Sequence, residues 1–105
     1  MGTAHMELSM ADTNINLSEG WKQHPACTGG WHLEYIDPVA GFDISIVTGP
    51  PGSGLMGVIA PGKPTTYEAW LPGLSNPTGY LTLEELKGII TYLREQYREV
   101  TMYMD

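Results

Sequence analysis

The amino-acid sequence predicts an α+β fold: a small, mainly antiparallel sheet of four to five strands packed on one C-terminal amphipathic helix. Three observations lead there. Apolar residues near the C-terminus recur at helical spacing behind a capping signature. Upstream, short runs alternate apolar and polar residues, the period of a half-buried strand. The connections between these runs are rich in proline and glycine, which suits hairpins better than the long crossovers a parallel sheet requires. At 105 residues the chain is expected to form one domain around one modest core.

Residues 1–30 are weakly patterned and are expected to form a weakly ordered N-terminal arm, with the α+β domain spanning 31–105. Residues 1–5, ending at His5, read as vector-derived ahead of Met6. Trp21 and Trp31 are expected to join the core or dock the arm. Trp31, Leu33 and Tyr35 then alternate with His32 and Glu34 in a first strand, which Asp37-Pro38 and Gly41 close. Phe42, Ile44 and Ile46 alternate with Asp43 and Ser45 in a second. It runs into Gly49-Pro50-Pro51-Gly52-Ser53-Gly54, which cannot continue a ladder. A third apolar stretch covers Leu55 to Ala60. A fourth candidate, Thr65 to Leu71, carries Tyr67, Ala69 and Leu71 on one face and Glu68 and Trp70 on the other. Pro72, Gly73, Asn76, Pro77 and Gly79 predict a loop.

The helix is the clearest element. Thr82 stands three residues before Glu85 in a capping box, and Glu84 and Glu85 place negative charge where the helix dipole favours it. At roughly 100° per residue, Leu83, Leu86, Ile89, Ile90, Leu93 and Tyr97 fall within an arc of about 120°. Arg94 and Arg98 are read as cations complementing the C-terminal end of the dipole. Such a stripe requires a sheet to cover it. Val100, Met102 and Met104 then alternate with Thr101 and Tyr103, which predicts a last short strand.

Five basic residues against twelve acidic ones give a formal charge of −7. Phosphate neutralisation by Lys and Arg is what drives sequence-independent nucleic-acid binding, so nucleic acid is excluded as a partner, and an anionic membrane surface with it. No apolar run approaches the ~18 residues of a membrane helix. Cys27 is the only cysteine, so no internal disulfide forms, and a cytoplasmic location is expected.

Ile46-Val47-Thr48-Gly49-Pro50-Pro51-Gly52-Ser53-Gly54 resembles the phosphate-binding loop of P-loop ATPases, particularly the AAA+ form. In that family backbone N–H groups cradle phosphates, a Lys neutralises charge and a Ser or Thr holds magnesium. Leu55 and Met56 occupy those two positions here, and Gly57 and Pro61-Gly62 interrupt the region where the following helix belongs. The expectation is therefore a hairpin connection and no nucleotide cofactor.

Other constellations fall short of a site. His24, Cys27 and His32 lack the paired spacing of structural zinc, so no metal is expected. Glu34, Asp37, Asp43 and Glu68 could meet across a sheet as acid and base. The surplus lies in apolar and aromatic residues near loops: Tyr67, Trp70, Leu71 and Leu74 around Pro72-Gly73, and Leu55 and Met56 after the glycine loop. These six are the expected binding residues, because aromatics at loop edges anchor interfaces at low entropic cost. The expected function is a non-catalytic protein–protein interaction domain of the kind formed by small acidic inhibitors, immunity proteins and adaptors of bacteria or phages. Its expected partner is another protein, with a basic surface. The alternatives are a small hydrolase or transferase using scattered carboxylates or Cys27, and a small-ligand or carbohydrate-binding module using Trp70 and Tyr67.

Overall fold

The computed structural model describes the backbone of residues 15–104 and the side chains of residues 15–97. Five strands form one sheet: β1 (Lys22–Gln23), β2 (Trp31–Ile36), β3 (Asp43–Thr48), β4 (Tyr67–Trp70) and β5 (Thr78–Leu81). Every neighbouring pair is antiparallel and the spatial order equals the chain order. One helix, α1 (Leu83–Met104), follows. The expected α+β architecture, an antiparallel sheet on a C-terminal helix, is the architecture observed.

The alternation along β2 and β3 decides what is buried. Leu33 and Tyr35 stand opposite Ile46 and Ile44, and Ile46 stands opposite Ala69 on β4. All five are buried. Leu86 and Ile90 of α1, at 1 % and 0 % exposure, press onto this layer. Removing such side chains from water is the main favourable term in folding. The helix start is held by the capping box: Thr82 N–H donates to Glu85 Oε1 at 2.8 Å, and Glu85 N–H donates to Thr82 Oγ1 at 3.1 Å.

Five features depart from the sequence expectations. The packed unit takes in residues upstream of Trp31: Ile15 and Leu17 join the core, and β1 pairs with β2. Of the arm expected over residues 1–30, residues 1–14, with the segment 1–5 read as vector-derived, lie outside the described residues. β5 occupies part of the expected 72–79 loop. Gly79 lets it approach Met56 closely, and Tyr80, at φ 57°, sits in the irregularity of the β4–β5 pairing. The apolar stretch Leu55 to Ala60 forms no ladder beyond a single parallel bridge between Gly49 and Val58.

The last two departures concern α1. It continues through Val100 and Met102 to Met104, so the expected final strand is absent. No Gly or Pro interrupts that stretch, and an alternation this short also places Val100 and Met104 at the i, i+4 spacing of a helix. Arg94 does not serve the helix end. It is 5 % exposed, one turn beyond Ile90 on the buried face, and its Nε donates to Asp37 Oδ1 at 2.8 Å and Oδ2 at 3.0 Å.

Candidate functional site

The helix covers one face of the sheet, and strand alternation sends the polar positions to the other. There His32, Glu34 and Ile36 of β2 stand beside Val47, Ser45 and Asp43 of β3, while Ser45 and Val47 stand beside Trp70 and Glu68 of β4. Among the described residues no second helix lies on this face. Trp70 is 50 % exposed and Ile36 66 %.

Glu34, Ser45 and Trp70 form one row across three strands. The turn after β4 rises beside them: Leu74 N–H donates to the Leu71 carbonyl at 3.3 Å, and Gly73 between them has φ 81°, which only glycine adopts without strain. The row, Asp43 and Leu71-Pro72-Gly73-Leu74 enclose a hollow of about 260 Å³. An exposed indole, two carboxylates and an apolar rim therefore share one concavity. Such a set attracts a cation: the indole face offers its quadrupole and the carboxylates offer charge and acceptors.

Of the six expected binding residues, Trp70, Leu71 and Leu74 line this hollow. Leu71 is also packed against the core, and Leu74 is half exposed. Tyr67 points the other way, toward the core face. Its ring centroid lies 5.8 Å from that of Trp21, and burial raises its phenol pKa. Tyr67 and Trp70 thus do not join in one site, as a ligand-binding pair would have to. Leu55 and Met56 line no part of the hollow. Leu55 packs over Gly49, and Met56 packs on Gly79 with its N–H donated to Glu68 Oε1 at 2.8 Å.

That last bond bears on the glycine loop. A phosphate cradle needs unengaged N–H groups and no negative charge nearby. Gly49 N–H goes to the Gly57 carbonyl, Ser53 N–H to Pro50, Leu55 N–H to Ser53 Oγ and Met56 N–H to a carboxylate. Pro50 and Pro51 have none. The loop connects two antiparallel strands and no helix follows it, so it is a hairpin connection by geometry as well as by composition.

Two groupings went unrecognised in the sequence. His32 Nε2 lies 3.0 Å from Ser45 Oγ and 3.5 Å from Glu34 Oε1. A catalytic triad would use one ring nitrogen for the hydroxyl and the other for the acid. Here one nitrogen faces both, and Ser45 sits on a strand paired on each side, its backbone committed to the ladders. The arrangement is a cross-strand polar cluster that borders the hollow at Glu34. The sequence sets His32 beside His24 and Cys27, whereas the structure places its ring with Ser45 and Glu34. Cys27 belongs to the 24–30 turn, where His24 Nδ1 accepts from Ala26 N–H, and no metal-ligand cluster occurs among the described residues.

The second grouping is Asp37 with Tyr35 and Arg94. Asp37, 1 % exposed, accepts from Tyr35 Oη at 2.6 Å and from the N–H groups of Val39 and Ala40. Burial alone would raise its pKa, but hydrogen bonds from Tyr35, Ala40 and Arg94 and the guanidinium charge outweigh that and hold it below the ordinary value. Asp37 thereby leaves the set of acids expected to meet across the sheet. No helix among the described residues is long and apolar enough to cross a membrane. Compared with protein-family models, curated proteins and solved structures, the chain matches none.

Proposed function

We propose that the chain is a non-catalytic protein–protein interaction domain whose open sheet face receives a basic partner, in the manner of small acidic inhibitors, immunity proteins and adaptors. The observation that carries this reading is the hollow in which exposed Trp70 shares space with Glu34 and Asp43. A Lys or Arg side chain of the partner stacks on the indole and pairs with the carboxylates, while Leu71 and Leu74 exclude water around it. At about 260 Å³ the hollow is smaller than the ~300–1,000 Å³ typical of small-molecule sites, which favours a side chain as its occupant. The net charge of −7 steers a basic partner toward it at low salt. A cytoplasmic setting belongs to the same reading, since the single cysteine gives no disulfide to an oxidising compartment.

The test is a pull-down from the source cell, followed by titration of the purified partner. Trp70→Ala is expected to weaken binding about 30-fold or more, the effect of a hot spot worth ~2 kcal/mol, and added salt to weaken it further. A partner whose affinity ignores Trp70→Ala, Glu34→Gln and salt alike would refute the proposal.

A further inference from the structure

The two edges of the sheet are not alike. β1 pairs only with Trp31 and His32, so among the described residues the rest of β2 has a strand on one side alone. Which backbone groups this leaves open follows from the register. Asp37 N–H donates to the Phe42 carbonyl, so the odd-numbered residues of β2 turn their N–H and C=O toward β3. His24 N–H donates to the Gly30 carbonyl on the other side, so the even-numbered residues turn theirs toward β1. Glu34 and Ile36 therefore aim backbone donors and acceptors at the outer edge. The residue that would continue β1 opposite Glu34 is Gly20, which at φ 87° leaves the ladder and lies against the Leu33 side chain.

A cleft of about 570 Å³ follows this edge, bounded by Glu19 and Lys22 on one side and Pro38 at its end. An open strand edge is a template for another strand, which proteins ordinarily blunt or cover. From this juxtaposition we infer that the Glu34–Ile36 edge of β2 takes an extended segment of the partner as an added strand, with a basic side chain of that segment beside Glu34. The residue hydrogen-bonded opposite Glu34 projects its side chain onto the same open face as Glu34 itself. Glu34 also lines the Trp70 hollow, so added strand and hollow form one continuous surface. Charge selects the occupant. Glu34 and Glu19 outnumber Lys22 along the edge, and a second copy of this chain would bring another −7 to it, whereas a basic segment is drawn in. The inference rests on the proposed function and adds the mode of binding: main-chain bonds supply affinity and alternate side chains supply selectivity.

Amide-resolved hydrogen exchange tests it, with a capped synthetic peptide of alternating Lys and Val as the probe. In the free protein the Glu34 and Ile36 amides are expected to exchange roughly tenfold or more faster than those of Leu33 and Tyr35. The peptide at millimolar concentration slows them to a similar extent. Its counterpart with Glu in place of Lys, and the Lys peptide N-methylated at alternate residues, leave them fast. Glu34→Pro removes the outward N–H without touching the bonds to β3 and abolishes the protection; should that variant unfold, the N-methylated peptide still decides. Slow Glu34 and Ile36 amides in the free protein, a concentration-dependent dimer through this edge, or a Lys–Val peptide that leaves the edge amides unprotected would each overturn the inference. A natural partner that loses affinity with Trp70→Ala but not with a folded Glu34→Pro would overturn strand addition and leave the interaction reading standing.

Discussion

Arg94 Nε donates to both carboxylate oxygens of Asp37, at 2.8 and 3.0 Å, across 57 positions of sequence and out of reach of water. The same carboxylate accepts from the phenol of Tyr35 on β2 and from the turn amides of Val39 and Ala40. One anion thereby ties together the helix, the strand and the hairpin bend.

Arg94→Met should lower stability by about 3–5 kcal/mol, because it leaves a buried carboxylate without its cation. Urea denaturation reads this directly. A midpoint indistinguishable from that of the parent protein would mean that the pair contributes nothing to the fold.

Stability should fall at both ends of the pH scale for reasons that can be separated. The Asp37 pKa is lower folded than unfolded, so its contribution is present above about pH 4 and is lost as pH falls through the depressed folded value. Tyr35 has the opposite sign. Burial, then its bond to Asp37, raises its pKa from 10.0 to about 12. Between those values the unfolded chain ionises while the folded one does not, so stability declines as pH rises from 10 toward 12. Tyrosinate absorbance should show Tyr35 titrating late alongside the buried Tyr67, and Tyr35→Phe should remove that contribution while leaving Tyr67's.

Three glycines should respond differently to alanine. A Cβ at Gly57 would lie 2.7 Å from the backbone of Tyr67 and Glu68, and one at Gly79 would collide with the Met56 side chain. Each substitution should cost about 1–3 kcal/mol by overpacking. Gly88→Ala meets nothing and should stabilise the helix by about 1 kcal/mol. Thermal melts of the three variants provide the check.

The glycine loop should not bind ATP. Isothermal titration with ATP and magnesium is expected to give no saturable heat, since the Gly49, Ser53, Leu55 and Met56 amides are engaged and the Glu68 carboxylate beside them repels phosphate. Micromolar affinity would contradict this geometry.

The strands β2, β3 and β4 were legible because each has one buried and one open face, so burial writes itself into the sequence as alternation. The helix start was legible because Thr82 and Glu85 satisfy each other locally. What escaped depends on partners far along the chain. β5 contains Gly79, a sign of a loop, and forms with Tyr80 left-handed because β4 and Met56 lie alongside. Arg94 looked like an ordinary cation near a helix end because nothing within its own element announces Asp37. At the candidate site, alternation alone put Trp70 on the open face. That Glu34 and Asp43 join it is a matter of register, which no single strand encodes.

A sheet whose spatial order repeats its chain order can assemble during synthesis, each new strand joining the one before it. The helix is made only after all five strands. Until it arrives, Ile44 and Ile46 lack the lid that Leu86 and Ile90 provide. A ribosome paused between Leu81 and Ile90 would hold a sticky half-product, and chaperone occupancy on this nascent chain should peak there.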